Sequence, residues 1–324
     1  MSASTTHIFK TVKGHDLTLD VITPENFNKE TGVALVHFHG GFLVLGEKST
    51  LPPVWLINLC RKRGWAYISP AYRLIPEATA LEVLDDAIDA LQWVSKNISI
   101  RVVSAGSSAG GYLALATGTN PRCPPLLAIF PLYGMLDVAS IRYVTPGTPL
   151  RGRTLDAAPI VKTIKELSTG NSQIISEYPF PANAPADPRF SMIAAMHQEA
   201  LYLDVMTREK GLGAKVRAEG IEAIPEKYRP LFPASFGLRK DLPPVVLLHG
   251  KIDTLVGVEH SINVAAKLEK IGAKVQLEVY EQGEHGCDVH GVPSDIDVDE
   301  KKDGEPAVTE HLRKVAAFLD SAVA

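Results

Sequence analysis

The chain has 324 residues, of which 45% are hydrophobic and 22% are charged, the balance of a globular protein with a sizeable core. Its formal net charge is −4, so it lacks the basic surplus that nucleic-acid binding requires. The three cysteines have no metal-ligand spacing and are expected to be reduced thiols. The N-terminus shows no secretory signal and no apolar run is long enough to span a bilayer, so a cytoplasmic protein is expected.

Two short β-rich stretches, residues 7–12 and 17–22, open the chain and predict a hairpin. Short apolar runs follow, of the kind that form strands buried on both faces of a parallel sheet. These runs begin at Val33, Trp65, Arg101, Leu126, Val245 and Val275. Helices are predicted between them at residues 79–97 and 258–272, and the final helix is predicted with Pro306 in its first turn. This order predicts an α/β fold with a mostly parallel, doubly wound sheet and helices on both faces.

The alternation of strands and helices is interrupted between Leu132 and Val245. This connection is too long for a loop in a compact domain, is rich in proline, and contains a predicted helix at residues 191–209. We therefore predict an insertion that covers the sheet as a cap. The predicted units are a core of residues 1–134 and 241–324 and an inserted cap of residues 135–240.

The strongest functional signal is the segment Gly106-Ser107-Ser108-Ala109-Gly110-Gly111, which contains the pattern Gly-x-Ser-x-Gly. An apolar run precedes it and a helical stretch follows it, so Ser108 is predicted at a sharp turn between a strand and a helix. Glycines are needed there because larger side chains would clash. A Gly-rich turn made for tight packing or phosphate binding looks the same, and the five residues alone leave that alternative open.

A second motif, His37-Phe38-His39-Gly40-Gly41-Phe42, follows the first buried strand. Consecutive glycines leave backbone N–H groups free to point into a cavity. An acyl-transfer enzyme needs such donors for the oxyanion of its tetrahedral intermediate. Gly40 and Gly41 are the candidate oxyanion donors, with the N–H of Ala109 as a third. Taken alone, a Gly-Gly pair after a strand is more often a simple turn.

Four stretches together resemble the hormone-sensitive-lipase-like branch of the α/β hydrolases, a group of carboxylesterases and lipases. They are His39-Gly40-Gly41, the segment Tyr72-Arg73-Leu74-Ile75-Pro76-Glu77, Gly106 to Gly111, and Leu242-Pro243-Pro244 with the strand and Asp253 that follow. The resemblance extends from about residue 33 to the end of the chain, apart from the cap. It implies a capped α/β-hydrolase fold with a serine nucleophile, and loops near that serine braced by the segment 72–77.

The resemblance also implies the partners of Ser108, and their positions suit the chemistry. Asp253 follows the carboxyl end of a core strand, where such sheets place catalytic groups, and His285 follows the last strand. The order Ser, Asp, His is the order of this fold. A serine hydroxyl is a poor nucleophile at neutral pH. His285 is therefore expected to take its proton as general base, while Asp253 orients the imidazole.

Other histidines are expected to be structural. His39 is predicted to order its loop by hydrogen bonding, and His37 and His249 to be satisfied residues of the core. His197 is expected at the surface of the cap, and His260 on a solvated helix face.

Two departures from the family pattern concern the pocket. The family usually has a third glycine where this chain has Phe42, which is expected to narrow the acyl side. The family often has an aspartate before the nucleophile, where this chain has Ser107, so one buried charge is missing and local hydrogen bonding differs. Phe42 and Ser107 are the predicted substrate-binding residues.

The leading hypothesis is a serine esterase, with no cofactor or metal, that cleaves a small to medium apolar or metabolite-like ester through an acyl-enzyme. Acyl transfer, lactone or formamidase-like amide hydrolysis, and non-hydrolytic tailoring of a metabolite are alternatives on the same triad. A receptor-like binding protein is disfavoured, because the receptors that resemble this family have lost the catalytic histidine. The expected partner is a small-molecule ester, with neither nucleic acid nor a membrane span, and a homodimer stays open.

Overall fold

The computed structural model describes residues 3–324. Within these residues eight strands form one sheet in the order β1-β2-β4-β3-β5-β6-β7-β8. The strands are β1 Ala3–Val12, β2 His15–Thr23, β3 Ala34–Phe38, β4 Ala66–Pro70, β5 Val102–Ser107, β6 Leu126–Leu132, β7 Val245–Gly250 and β8 Val275–Tyr280. Strands β3 to β8 are parallel, whereas β1 and β2 form an antiparallel hairpin that pairs with β4. The predicted α/β class, mostly parallel sheet and hairpin are confirmed.

Helices cover both faces of the sheet, as predicted. They are α1 Val54–Arg63, α2 Ala80–Asn97, α3 Ala109–Thr119, α4 Ile141–Val144, α5 Ala157–Leu167, α6 Pro188–Gln198, α7 Tyr202–Thr207, α8 Leu212–Glu219, α9 Pro233–Phe236, α10 Glu259–Lys270 and α11 Thr309–Val323. Val36 packs into one hydrophobic cluster with α2 and α3, and its neighbour Leu35 packs into another with α1 and α11. Because successive strand residues point to opposite faces, the two clusters lie on opposite sides of the sheet.

Helix ends follow local capping chemistry where the sequence carries it. Thr79 and Glu82 form a capping box that starts α2, in agreement with the predicted helix. The single helix predicted over residues 191–209 is wrong, because Ala200 adopts φ 54° and separates α6 from α7. Pro306 lies outside the final helix, in a turn where its carbonyl accepts the N–H of Thr309 at 2.9 Å.

The segment between β6 and β7 carries helices α4 to α9. Most of its buried apolar side chains belong to the hydrophobic cluster that also contains side chains of α2 and α3, so this segment shares a continuous core with one face of the sheet. The boundaries drawn for a core and a cap from the sequence stay a prediction.

Cys60, Cys123 and Cys287 are free thiols, as expected. Burial raises the pKa of each, which keeps the thiols neutral and unreactive. Among the helices formed by residues 3–324, none combines the length and the hydropathy needed to cross a membrane.

Candidate active site

The carboxyl ends of β3, β5, β7 and β8 carry the motifs singled out in the sequence. A cavity of about 310 Å³ opens above these strand ends. Among the predicted site residues, it is lined by Gly40, Gly41, Phe42, Ser107, Ser108 and His285. The sheet therefore brings the glycine motif, the serine turn and the candidate base to one cavity, which is where ligands bind in open α/β sheets.

Ser108 occupies a sharp turn between β5 and α3, with φ 58° and ψ −115°. Its N–H donates to Leu132 O at 2.8 Å, which holds the turn against β6. A Cβ added at Gly106 would lie 2.2 Å from Gly110 O, and one at Gly110 would lie 1.9 Å from Phe38 O. The two glycines are thus required by close backbone approach, and the strained turn raises the Ser108 side chain into the cavity.

The glycine motif lies directly beside this serine. A Cβ added at Gly40 would lie 3.2 Å from Ser108 Cβ, so the Gly40 backbone adjoins the hydroxyl-bearing carbon. Gly41 has φ 115°, and its carbonyl accepts the N–H groups of Val44 and Leu45 in a tight turn. Ala109, the third predicted donor, is the buried first residue of α3.

His39 orders this loop, as predicted. Its Nδ1 lies 2.8 Å from Gly40 O, and the Tyr72 hydroxyl donates to His39 O at 2.8 Å. Burial lowers the pKa of His39 to about 4, so the ring is neutral at pH 7. The loop is therefore fixed by hydrogen bonds rather than by charge.

Asp253 and His285 form a short hydrogen bond, with Nδ1 2.6 Å from Oδ2. The other carboxylate oxygen, Oδ1, accepts the N–H groups of Leu255 and Val256 at 2.8 and 2.9 Å. Burial alone would raise the pKa of Asp253, but hydrogen bonds with His249 and His285 outweigh it and hold the pKa well below its usual value. An ionised Asp253 keeps the proton on Nδ1 of His285, which leaves Nε2 as the basic nitrogen.

His249 has a larger part in this site than the sequence indicated. It is fully buried at the end of β7, with Nδ1 2.7 Å from Ser261 Oγ and Nε2 2.9 Å from Val256 O. Nε2 also lies 3.3 Å from Asp253 Oδ2, the same oxygen that His285 contacts. The structural role predicted for His249 is confirmed, and its ring also contacts the candidate acid, Asp253.

The expectations for His197 and His260 are wrong, because the insertion covers both rings. His197 is 0% exposed, with Nδ1 2.9 Å from Ile193 O, and His260 is 2% exposed and accepts the N–H of Asp137 at 3.0 Å. Burial lowers the pKa of His197 to about 4 and that of His260 to about 3, so both are neutral at pH 7. His37 is a satisfied core residue, as expected, with Nε2 2.9 Å from Ser107 Oγ.

Phe42 lines the cavity from a strained backbone position. Its φ is 58° and that of Leu43 is 64°, in the left-handed region that favours glycine. The Phe42 ring packs edge-on against His197 at 5.1 Å and near Tyr202 at 6.4 Å. The side chain that replaces the usual third glycine is thus held between the cavity and the inserted helices.

Several cavity-lining residues were missed by sequence reasoning. Tyr133 has φ 36°, and its ring lies edge-on to His285 at 4.8 Å. Others come from the segments after Asp253 and His285, from the segment after the glycine motif, or from the insertion: Leu255, Val289, His290, Leu45, Thr50, Leu51, Arg151, Phe180, Phe190 and Ile193. Leu255 and Val289 could have been found because they closely follow Asp253 and His285 in the sequence. The lining residues of the insertion carry no motif that would have marked them. No group of three or more His, Cys, Asp or Glu side chains in residues 3–324 is arranged to hold a metal ion.

Comparison with known families assigns the chain to one of them. A family model described as the alpha/beta hydrolase fold matches residues 35–202, just over half of the chain. The chain therefore belongs to the α/β hydrolase family, which confirms the resemblance seen in its motifs.

Solved structures of similar fold include a Staphylococcus aureus protein of unknown function. It has 19% identity and a TM-score of 0.65, over 99% of this chain and 100% of that one. Esterase Est2 from Thermogutta terrifontis has 18% identity and a TM-score of 0.62, over 98% of this chain and 92% of that one. At these identities the likeness concerns the fold.

Curated relatives include much longer proteins. The non-reducing polyketide synthase ausA of Penicillium brasilianum is 27% identical over 85% of this chain, but the match spans only 12% of that synthase. A probable carboxylesterase, M8, of a Phoma species is 28% identical over 40% of this chain and 46% of its own length.

Proposed function

We propose that the protein is a serine hydrolase that cleaves carboxylic esters through an acyl-enzyme. The observation that carries the proposal is the meeting, in one cavity, of Ser108 on its strained turn with the Asp253–His285 pair. Gly40 beside the serine supplies the third requirement, a backbone donor for negative charge.

In the proposed mechanism, Nε2 of His285 takes the proton of Ser108 as its Oγ attacks the ester carbonyl. The N–H groups of Gly40, Gly41 and Ala109 stabilise the oxyanion. His285 then gives the proton to the departing alcohol oxygen, which leaves an acyl-enzyme. A water molecule, deprotonated by His285, attacks this ester and releases the acid. Asp253, kept ionised by hydrogen bonds from four donors, stabilises the imidazolium that forms during both acylation and deacylation.

The cavity suggests the character of the substrate. Its lining is predominantly apolar, and Phe42 fills the position where a glycine is usual. This favours an apolar or aromatic acyl group of small to medium size. Acyl transfer, lactone or amide hydrolysis and non-hydrolytic tailoring use the same groups and stay open as alternatives.

A second candidate is suggested by the relatives. The match to a polyketide synthase over 85% of this chain favours a polyketide as the acyl group. Attack of Ser108 on a thioester or on an oxygen ester of such an acid would give the same acyl-enzyme.

Hydrolysis of p-nitrophenyl esters from acetate to decanoate, by the wild type and by Ser108→Ala, tests the first proposal. We expect activity that peaks at one chain length and disappears in the variant. An aromatic acyl thioester of N-acetylcysteamine, assayed in parallel, tests the second candidate. A wild type inactive on every oxygen ester but active on the thioester would replace the first proposal by the second, and inactivity on both would contradict hydrolysis.

A further inference from the structure

A chain of buried polar side chains connects the nucleophile turn to the segment that follows His285. Nε2 of His37 lies 2.9 Å from Oγ of Ser107, the residue before the nucleophile. The side chains of Ser107 and Asp288 both act on the pKa of the Tyr133 hydroxyl, so the three side chains are neighbours. The proposed mechanism uses neither Tyr133 nor Asp288, so their arrangement requires another explanation.

Among these polar side chains, Asp288 is the one whose burial costs the most stability. It is 1% exposed, its Oδ2 accepts Nε1–H of Trp55 at 2.9 Å, and its Oδ1 is buried with no geometrically good hydrogen bond within residues 3–324. Burial raises the pKa of Asp288, and hydrogen bonds from Trp55 and Tyr133 offset part of that rise. A carboxyl group buried this completely is costly to stability, and an apolar residue would pack there at lower cost.

Tyr133 links this carboxyl group to the candidate base. Its ring is edge-on to the His285 imidazole, with ring centroids 4.8 Å apart. Its N–H donates to Leu248 O at 2.7 Å, which ties the residue to β7. The backbone holds φ at 36°, a left-handed conformation that costs a tyrosine on the order of 1–3 kcal/mol. A strained residue fixed at both ends and packed on a reacting side chain is suited to hold that side chain in place.

The same group of side chains includes Ser107, the residue before Ser108, whose Oγ lies 2.9 Å from His37 Nε2. Burial lowers the pKa of His37 to about 3, so the ring is neutral. A neutral His37 can donate from Nε2 to Ser107 Oγ, which leaves the hydroxyl proton of Ser107 free for another acceptor. The buried carboxyl group of this part of the core is that of Asp288, three residues after His285.

We propose that Asp288 and Tyr133 are positioning residues that hold His285 and the Ser107–Ser108 turn in register with each other. Asp288 fixes the Tyr133 hydroxyl, the Tyr133 ring fixes the imidazole face, and the same hydroxyl steadies Ser107. The inference rests on the proposed function in one respect, namely that Ser108 is the nucleophile.

The test compares Tyr133→Phe, Asp288→Asn and the double variant with the wild type. Turnover of the best p-nitrophenyl ester gives kcat and KM, and the rate of labelling by a fluorophosphonate reports the reactivity of Ser108. We expect each single variant to lower kcat and the labelling rate about tenfold while KM changes less than about twofold, because a small misplacement of reacting groups slows the chemistry. Since both residues act through one contact, the double variant should lose no more than the poorer single variant.

Tyr228→Phe is the matched control, because it removes a buried hydroxyl that donates to Thr207 O at 3.0 Å within the insertion. It should keep wild-type kcat and labelling rate. The inference is overturned if both single variants stay within about twofold of the wild type, or if the losses multiply in the double variant, as they do for independent residues. Should Asp288→Asn fail to fold, Tyr133→Phe decides by the same kcat criterion. A wild type that the fluorophosphonate does not label would contradict the proposed function instead.

Discussion

Arg189 of α6 and Glu77 of the core form a bidentate ion pair, with N–O distances of 2.8 and 2.9 Å, and their side chains are 5% and 3% exposed. The remaining guanidinium donors bond to Val44 O at 2.6 Å and Ile75 O at 3.0 Å. Helix α6 also carries two cavity-lining side chains, so this arginine joins one wall of the cavity to the loop that follows the glycine motif. Such a pair fixes geometry even where it adds little to stability.

The substitution Glu77→Gln should therefore lower the free energy of unfolding by about 3–5 kcal/mol, because it leaves the charge of Arg189 buried and unpaired. Urea denaturation monitored by fluorescence measures this. Glu166→Gln is the control, since its contact with Lys162 is 4.0 Å long and exposed and should contribute less than about 0.5 kcal/mol. Equal losses in the two variants would contradict a buried, structural role for the pair.

We expect Phe42 to limit the length of the acyl group that the cavity accepts. Phe42→Gly removes a side chain from the lining and relieves a left-handed backbone, so the preferred p-nitrophenyl ester should become longer by several carbons. The profile of kcat/KM against chain length measures this. Phe318→Ala, a buried phenylalanine packed with the cluster on the opposite face of the sheet, should keep the wild-type profile. An unchanged optimum in Phe42→Gly would show that another side chain limits the pocket.

Four buried histidines predict how stability depends on pH. Burial lowers the pKa of His37 and His260 to about 3, and that of His39 and His197 to about 4. Unfolded histidine has a pKa of about 6.5, so the unfolded state binds more protons between pH 6.5 and these values. The contribution of these four histidines to the free energy of unfolding is fully present above pH 6.5. It is lost as the pH falls, by about 1.4 kcal/mol per pH unit for each residue.

Urea denaturation at pH 7.5 and at pH 5.5 measures this loss. His197→Gln should be less stable than the wild type at pH 7.5, because it disturbs a packed aromatic cluster. It should nevertheless lose about 1.4 kcal/mol less than the wild type when the pH is lowered to 5.5. The same loss in both proteins would mean that His197 is not buried as a neutral ring.

We expect Arg151 to favour substrates that carry a negative charge. It is the one lysine or arginine among the cavity-lining side chains of residues 3–324, and no aspartate or glutamate lines that cavity. Arg151→Gln should lower kcat/KM about tenfold for an ester whose acyl chain ends in a carboxylate, because a charge-assisted contact is lost. A neutral ester of equal length should be unaffected. Arg153→Gln, whose side chain bonds to Pro185 O, serves as control, and equal effects on both esters would rule out recognition of charge.

The sequence predicted the sheet and the turn at Ser108 well because both depend on local patterns. Buried strands such as β6 are continuous apolar runs, and the turn at Ser108 needs glycines that close backbone contacts dictate. His260 was misjudged for the opposite reason. Which face of a helix is buried depends on the chain that packs on it, and α10 is covered there by the segment that contains Asp137.

Tyr133 and Asp288 are a second case in which tertiary packing, rather than local sequence, determines the surroundings of a residue. Neither lies in a recognisable motif, and their contact joins residues far apart in sequence. The left-handed backbone of Tyr133 could not be anticipated, because only glycine and a few polar residues signal such a conformation. The strands and the turn at Ser108 are therefore encoded by short segments, whereas the contact of Tyr133 with the His285 ring depends on tertiary packing.

The order of the strands has a consequence for synthesis on the ribosome. The turn that carries Ser108 follows β5, but Asp253 and His285 follow β7 and β8, which complete that edge of the sheet only after helices α4 to α9 have been made. At about 5–20 residues per second, roughly 9 to 35 seconds separate the emergence of Ser108 from that of His285. A nascent chain therefore carries Ser108 before it has the Asp253–His285 pair, and the arrangement of the three side chains arises only when β8 joins the sheet.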